Sequence, residues 1–323
     1  MKNFRLFFLL VMAVLLGSCT GRRPEQEPEI SEDLIVVGFS QVGSESDWRN
    51  GNTRSMQEAL AAENGFRLIL DDAQQKQEKQ ITAIRNFINQ GVDYIVLAPT
   101  TEQGWDTVLT EARTAGIPVI IVDRMIEVPD PGLFTCWVGS DFYSEGRNAV
   151  EWMEQNLPDH LRIVHLQGNI GSSAQIGRTE GLLDGLSRHP EWELVFQAPG
   201  DFVQAKGREL LETVLAQKLD FNVIYSENDN MSFGAVESLK EHGLKPGSEI
   251  TVISFDAGSN ALRMLLNGEL NLDVECNPMH GPRVRSIIEQ IEKGENPPKY
   301  TFVDETFCDA ASVTDAVIAG RGY

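Results

Sequence analysis

The sequence predicts an α/β protein of two Rossmann-like lobes, each built on a parallel sheet. Short runs of β-branched and aliphatic residues alternate with polar stretches of helical length. Each run is apolar almost throughout, as a strand covered on both faces must be. The alternation falls into two similar series along 323 residues, enough chain for two cores with a cleft between them. Charged and amide residues stand at the ends of the runs. IPVIIV leads into Asp123-Arg124, NVIYS into Glu227-Asn228-Asp229, ITVISF into Asp256, and IVVGFS into Gln41 and then SESDWR. Ligands of parallel α/β sheets bind beyond the carboxyl ends of the strands. These residues therefore belong at the mouth of a crevice and suit a ligand rich in hydroxyls.

Residues 1–18 stand outside this rhythm. Lys2 and Arg5 precede an apolar run from Leu6 to Leu16, too short to span a bilayer comfortably, which reads as the core of a signal peptide. Small residues directly before Cys19 give the pattern of a bacterial lipoprotein signal, with Cys19 as the lipidated new N-terminus. An ordinary signal peptide that includes a cysteine is the alternative. Residues 19–32 are polar and acidic, contain Pro24 and Pro28, and read as a flexible tether. Loss of Lys2 and Arg5 takes the net charge from −21 to −23, which argues against nucleic acid and against electrostatic docking on anionic lipid. Contact with a membrane is expected through the lipid alone.

From Leu34 the elements follow in order. LIVVGF reads as a strand and residues 48–64 as a helix ended by Gly65. FRLILDD is the next strand, followed by a helix over 78–90 ended by Gly91. DYIVLAP, a helix over 103–115 with Gly116 after it, and IPVIIVD complete the first series. Glycine suits the left-handed residue that closes a helix. LFTCWVGSD reads as one more strand leading out of the first half. The second series opens with a helix from Asp141 to Asn156 and the strand LRIVHLQG. Ser172 and Ser173 are suited to capping the helix that follows. ELVFQAPG, a helix over 204–217, NVIYSEN, a helix over 231–242 and ITVISFD come next. NLDVECNP, a helix over 282–292 and YTFVDETF are too few for a third domain, and are expected to cross back and complete both sheets.

Asp123 and Arg124 form the sharpest pair. A carboxylate accepts two hydroxyl protons and a guanidinium donates a planar fork, a match for vicinal sugar hydroxyls. A strand-end ion pair bridging two loops explains this motif equally well. Similar residue types in the second series, Arg178, Asn228 and Asp256, favour the ligand reading. In the first loop Trp48 suits either core packing or a platform for the C–H face of a sugar, with Glu45 and Arg49 at its edges. Trp105 carries the same ambiguity. Cys136, Cys276 and Cys308 read as buried fillers with one bridge possible; their spacing and that of the five histidines fit no metal site. No catalytic or cofactor motif follows a strand, so neither an enzyme nor a cofactor is expected.

The segments VGFSQVGSESDWR, DDAQQKQEKQITAIRNFINQGVDYIVLAPT, IPVIIVDR, HLQGNIGSSAQIGR, GDFVQAKG, YSENDNMSFGAVESLKEHGLKPG and SFDA resemble the type I periplasmic sugar-binding proteins of ABC importers, ribose and galactose class. The likeness covers essentially the whole chain after the tether. Within that family GFSQVGSES-WR and QQKQE-QI are most similar to the galactofuranose-binding members. The resemblance implies that Asp123, Arg124, Arg178, Asn228 and Asp256 contact sugar hydroxyls, with Glu45, Trp48 and Arg49 joining from the first loop. It implies a lobe of residues 33–140 plus 277–303 and another of 141–276 plus 304–323. Three hinge crossovers, near 139–141, 256–276 and 301–306, would join them. Asp47 and Cys276 depart from the family pattern at places expected to alter the pocket. The expected function is that of a lipid-anchored, monomeric binding protein that captures a monosaccharide, galactofuranose or a similar aldose, for an ABC permease and ATPase. Presentation of the sugar to a membrane receptor is the alternative, and a sugar-modifying enzyme is the reading from another class.

Overall fold

Residues 34–323 are described by the structure, a computed structural model. The expected signal peptide, Cys19 and the tether lie outside the described residues. The chain begins with β1 (Ile35–Gln41), α1 (Asp47–Ala59), β2 (Phe66–Asp72), α2 (Gln77–Gln90), β3 (Tyr94–Leu97), α3 (Asp106–Thr114), β4 (Val119–Val122) and β5 (Cys136–Gly139). It continues with α4 (Phe142–Asn156), β6 (Arg162–Gln167), α5 (Ser173–Arg188), β7 (Glu193–Pro199), α6 (Gln204–Ala216), β8 (Val223–Ser226), α7 (Asp229–Glu241), β9 (Thr251–Asp256), α8 (Ser259–Leu266) and β10 (Leu272–Glu275). It returns through α9 (Gly281–Glu292) and β11 (Tyr300–Phe302), then ends with β12 (Phe307–Asp309) and α10 (Asp315–Gly320).

Two six-stranded sheets result, ordered β11-β5-β4-β3-β1-β2 and β12-β10-β9-β8-β6-β7. The chain passes between them at 140–141, 276–280 and 303–306. The expected crossover window 256–276 is instead occupied by α8 and β10, both part of the second sheet's layer, and the passage starts where that window ends. The short α8 has only eight residues within one loop-length gap, too few to show a helical period in the sequence, yet Ala261, Leu262 and Leu265 are all buried. One strand departs from the expected parallel arrangement. β12 runs antiparallel to β10. The reason is direction: β5, β10 and β11 all leave their sheets at their carboxyl ends. A passage as short as 303–306 therefore delivers β12 into the second sheet from the opposite sense, without the long crossover that parallel pairing needs.

Local chemistry sets the element ends. Ser46, Asp141, Ser172 and Asn228 each accept a hydrogen bond from a first-turn N–H of the helix that follows. Gly91 closes α2 in the left-handed region at φ 63°. Helix α1 is shorter than expected: it stops at Ala59, and a separate 3₁₀ turn at Ala62–Asn64 precedes Gly65. Asn64 Nδ2 donates to the carbonyls of Glu58 and Ala59 at 3.0 and 3.2 Å, taking over the acceptors that another helical turn would use.

Each sheet is covered on both faces. In the second lobe the contact between α4 and α5 matters most, because it carries Glu145 and Arg178. Gly146, Gly177 and Gly181 line it. A Cβ on Gly181 would lie 2.6 Å from the Gly146 carbonyl carbon and 2.7 Å from Arg147 N. Backbone cannot yield as a side chain can. Gly181→Ala is therefore expected to lower stability by about 1–3 kcal/mol, the usual range for overpacking, read from the urea midpoint at unchanged m-value.

Candidate ligand-binding cleft

Because every passage leaves from the carboxyl ends of strands, those ends converge between the two sheets. A recess lies there, lined by residues from both lobes. All eight residues singled out in the sequence border it. Glu45, Trp48 and Arg49 come from the β1–α1 loop and the start of α1. Asp123 and Arg124 follow β4, Arg178 projects from α5, Asn228 follows β8, and Asp256 ends β9. Both strand-end aspartates hold positive φ, 64° at Asp123 and 111° at Asp256. Strain of this kind persists only where surrounding contacts over-determine it. At Asp123 the Trp137 indole N–H donates to the carbonyl at 3.1 Å, and Gly139 leaves the room that carbonyl needs.

Three buried guanidiniums dominate the electrostatics. Arg49 donates to Asp123 Oδ2 at 2.9 Å, Glu45 Oε1 at 3.3 Å and Gln41 Oε1 at 3.1 Å. Burial opposes its charge, but the two carboxylates outweigh it and raise its pKa. Arg178 donates to Glu145 Oε2 at 2.7 Å, the Glu227 carbonyl at 2.5 Å and Asp256 Oδ1 at 3.4 Å. Burial holds the Glu145 and Asp256 carboxyls above their ordinary range in spite of Arg178. Arg124 is the least compensated. Burial, with repulsion from Arg49 added, brings it down to about 10. Its one hydrogen bond among the described residues goes to the Thr100 carbonyl at 3.2 Å. Most of its five donors are thus left for a ligand. Glu45 Oε2 is likewise buried with no partner among the described residues.

Aromatic walls complete the recess. Trp48 is packed and lining at once: its N–H is tied to the Cys276 carbonyl at 2.7 Å while its ring meets the recess. Phe142 and Phe202 were not singled out in the sequence. Arg178 lies 5.4 Å from the Phe142 ring centre and Arg124 lies 5.1 Å from that of Phe202. Their only sequence signal is position, since each follows directly on an aspartate at a strand-to-helix junction. Glu145 was missed as well, because a helix-borne acid one turn past a cap looks like a dipole partner. Trp105 resolves as core, with its N–H on the Thr101 carbonyl. Asn228 is partly committed: Oδ1 caps α7 and Nδ2 donates to the Phe202 carbonyl at 3.3 Å.

Asp47 does not border the recess. It reaches the other lobe, where its N–H donates to Asn230 Oδ1 and its carboxylate accepts from Asn260, both at 3.0 Å. Met125 N–H to Ser173 Oγ at 2.8 Å and Glu102 N–H to the Gly171 carbonyl at 2.9 Å add to the same seam. The two lobes are therefore closed on one another. Cys136, Cys276 and Cys308 are all buried and free. One group of metal-capable side chains lies together among the described residues, Glu145, Cys276 and Glu305. Arg178 sits against it and burial holds the Cys276 thiol in its protonated form, so it is not read as a metal centre.

A sequence model of the periplasmic binding protein domain matches residues 37–274. The chain is 38% identical over 277 residues to the galactofuranose-binding protein YtfQ of Escherichia coli (strain K12), covering 84% of this chain and 87% of that protein. Among solved structures it resembles a Mycobacterium smegmatis protein in complex with β-D-fucofuranose (TM-score 0.85, 37% identity, 88% of this chain and 94% of that one). It also resembles the periplasmic binding component of the arabinose ABC transporter from Shewanella sp. ANA-3, bound to α- and β-L-arabinofuranose (TM-score 0.84, 38% identity, 89% and 95%).

The geometry makes a direct prediction about the first-lobe pair. Asp123→Ala strips Arg49 of its shorter ion pair and leaves Arg124 facing it unscreened. The loss is expected to be about 3–5 kcal/mol, as when one partner of a buried pair is removed, measured by chemical denaturation of the ligand-free protein.

Proposed function

The chain belongs to the periplasmic binding protein family, and from that footing we propose that it is an exported, non-enzymatic binding protein that holds one monosaccharide in furanose form, galactofuranose or a similar aldose, for ABC-type import. The observation that carries this reading is the convergence of three buried arginines and the carboxylates Asp123 and Asp256, from both lobes, on one recess. Fixed donors and acceptors inside aromatic walls suit a small ring with hydroxyls on its edges and C–H groups on its faces. Arg124 and Glu45 Oε2 offer the bonding capacity that the protein itself leaves unused. The ring form is supported by three relatives, whose ligands are galactofuranose, fucofuranose and arabinofuranose.

Specificity follows from burial. A sugar lacking one hydroxyl leaves a desolvated charge without its partner, which weighs far more than a lost contact with water. Closure follows from differential affinity: a ligand touching both lobes at once binds the closed arrangement better and shifts the population towards it. A permease that reads the closed surface would then distinguish loaded from empty protein.

The test is a thermal-shift and calorimetry panel on residues 31–323 with L-arabinose, D-fucose, D-galactose and methyl β-D-galactofuranoside. Binding at a hundredfold excess over Kd is expected to add about 2.7 kcal/mol of stability. Arg178→Ala and Asp256→Ala should abolish the shift while unfolding stays cooperative, and mass spectrometry should recover the sugar unchanged. Normal affinity in both variants, or no shift with any sugar, refutes the assignment. For the anchor, metabolic labelling with a radioactive fatty acid is expected to mark the wild-type chain and leave Cys19→Ser unmarked; equal labelling would remove Cys19 from that role.

A further inference from the structure

Glu305 stands at the one point where the three passages between the lobes meet. It belongs to the third passage. Its Oε1 accepts from the Ser140 hydroxyl of the first at 2.7 Å and from the Asn277 backbone N–H of the second at 2.5 Å. Beside it lie Glu145 of α4 and Cys276, and one polar atom from each of the three falls within 4.8 Å of the others. Cys276 also forms part of the cleft lining, so this cluster is the wall between the recess and the passages.

The charges around Glu305 do not balance. Glu145 faces it from α4, Arg178 from α5 and Glu275 from the end of β10, with the Cys276 thiol between. Arg321 is taken up by Glu275. Arg178, the remaining cation, is already shared by Glu145 and Asp256. A third carboxylate in this setting is partly buried and has no counter-charge of its own, and partial desolvation without compensation favours its neutral form. Glu145 lies in the same cluster, and its Oε1 is buried with no partner among the described residues. In agreement, burial raises the Glu305 carboxyl to about 7 in spite of its bonds from Asn277 and Ser140.

We propose that Glu305 is a positioning residue for the closed cleft, tying the three passages together through a carboxyl that takes up a proton, shared towards Glu145, when a ligand fills the recess. The inference rests on the monosaccharide reading above. A ligand lying over Cys276 excludes water from the cluster, and loss of water disfavours the charged form of a carboxyl. The sign follows from linkage. A carboxyl whose pKa rises on binding takes its proton together with the ligand, so affinity is greatest at low pH and falls as pH rises through neutrality. For one proton the slope is at most tenfold in Kd per pH unit.

The experiment is calorimetric titration with the monosaccharide that gives a shift in the panel, near neutral pH, in two buffers of different ionisation heat. Wild type is expected to take up a measurable fraction of one proton per ligand, with Kd rising from about pH 6 to about pH 8 within that tenfold-per-unit limit. Glu305→Gln keeps an oxygen for Ser140 and Asn277; it is expected to bind with no proton uptake and a flat pH profile. Absence of uptake in wild type, or its persistence in Glu305→Gln, overturns the proposal. Uptake that disappears on treatment with EDTA overturns it in favour of a divalent cation held by the same three side chains. If no sugar binds, the monosaccharide reading has failed. Side-chain ¹³C titration then decides the proton on Glu305 independently: a glutamate carboxyl that titrates near neutrality in wild type and is missing from Glu305→Gln upholds it, and its absence from wild type overturns it.

Discussion

The structure depends on a single electrostatic constraint, the compensation of three guanidiniums buried where two sheets meet. A buried arginine is tolerated only when carboxylates and carbonyls meet its fork in good geometry. Arg178 shows what this demands. Its partners come from α4, from the end of β8 and from the end of β9. For Glu145 to reach it, α4 and α5 must touch backbone to backbone, which is why glycines occupy 146, 177 and 181 along that seam. For the Glu227 carbonyl to be fixed, its side chain is held by His165, Thr179 and the Gly168 N–H. The positive φ at Asp123 and Asp256 belongs to the same arrangement, since it turns each carboxylate back into the recess at the end of its strand.

Compensation is deliberately incomplete on one side. Arg49 and Arg178 each have two carboxylates in reach, whereas Arg124 lies 3.9 Å from Asp123 and is pressed by Arg49. Its stacking on Phe202 supplies some of the missing stabilisation. A hydroxyl-bearing ligand would supply the rest without adding charge, because a hydroxyl accepts from the guanidinium and donates to a carboxylate in the same ring edge. The cleft thus carries the polarity of its ligand in reverse.

Topology turns this local chemistry into a hinged device. All three passages leave at the carboxyl ends of strands, so the ligand-facing loops and the connections between lobes share one edge of the molecule. Polar residues at that edge serve twice: Ser46 and Asn228 cap helices and border the recess, and Cys276 borders it while its carbonyl holds Trp48 across the seam.

The sequence by itself determined the alternation of strands and helices and which polar residues stand at strand ends. Both are local properties: apolar runs report burial on two faces, and a charge that ends such a run can only emerge at the sheet's edge. Asp123, Arg124, Asn228 and Asp256 were legible on that ground, while Glu45, Trp48 and Arg49 in the first strand-to-helix segment and Arg178 on a helix were legible through the family resemblance. Tertiary structure alone decided the rest, because the deciding contacts join residues far apart in the chain. Trp48 meets Cys276 across 228 positions and Ser140 meets Glu305 across 165. Phe142, Phe202 and Glu145 gain their places only when α4 and the turn before α6 fold over the strand ends. The antiparallel β12 follows from which end of the sheet the chain leaves, and Asp47 turns from the recess to the opposite lobe because Asn230 and Asn260 wait there. No periodicity records such meetings, for they are set by how two finished sheets lie against each other.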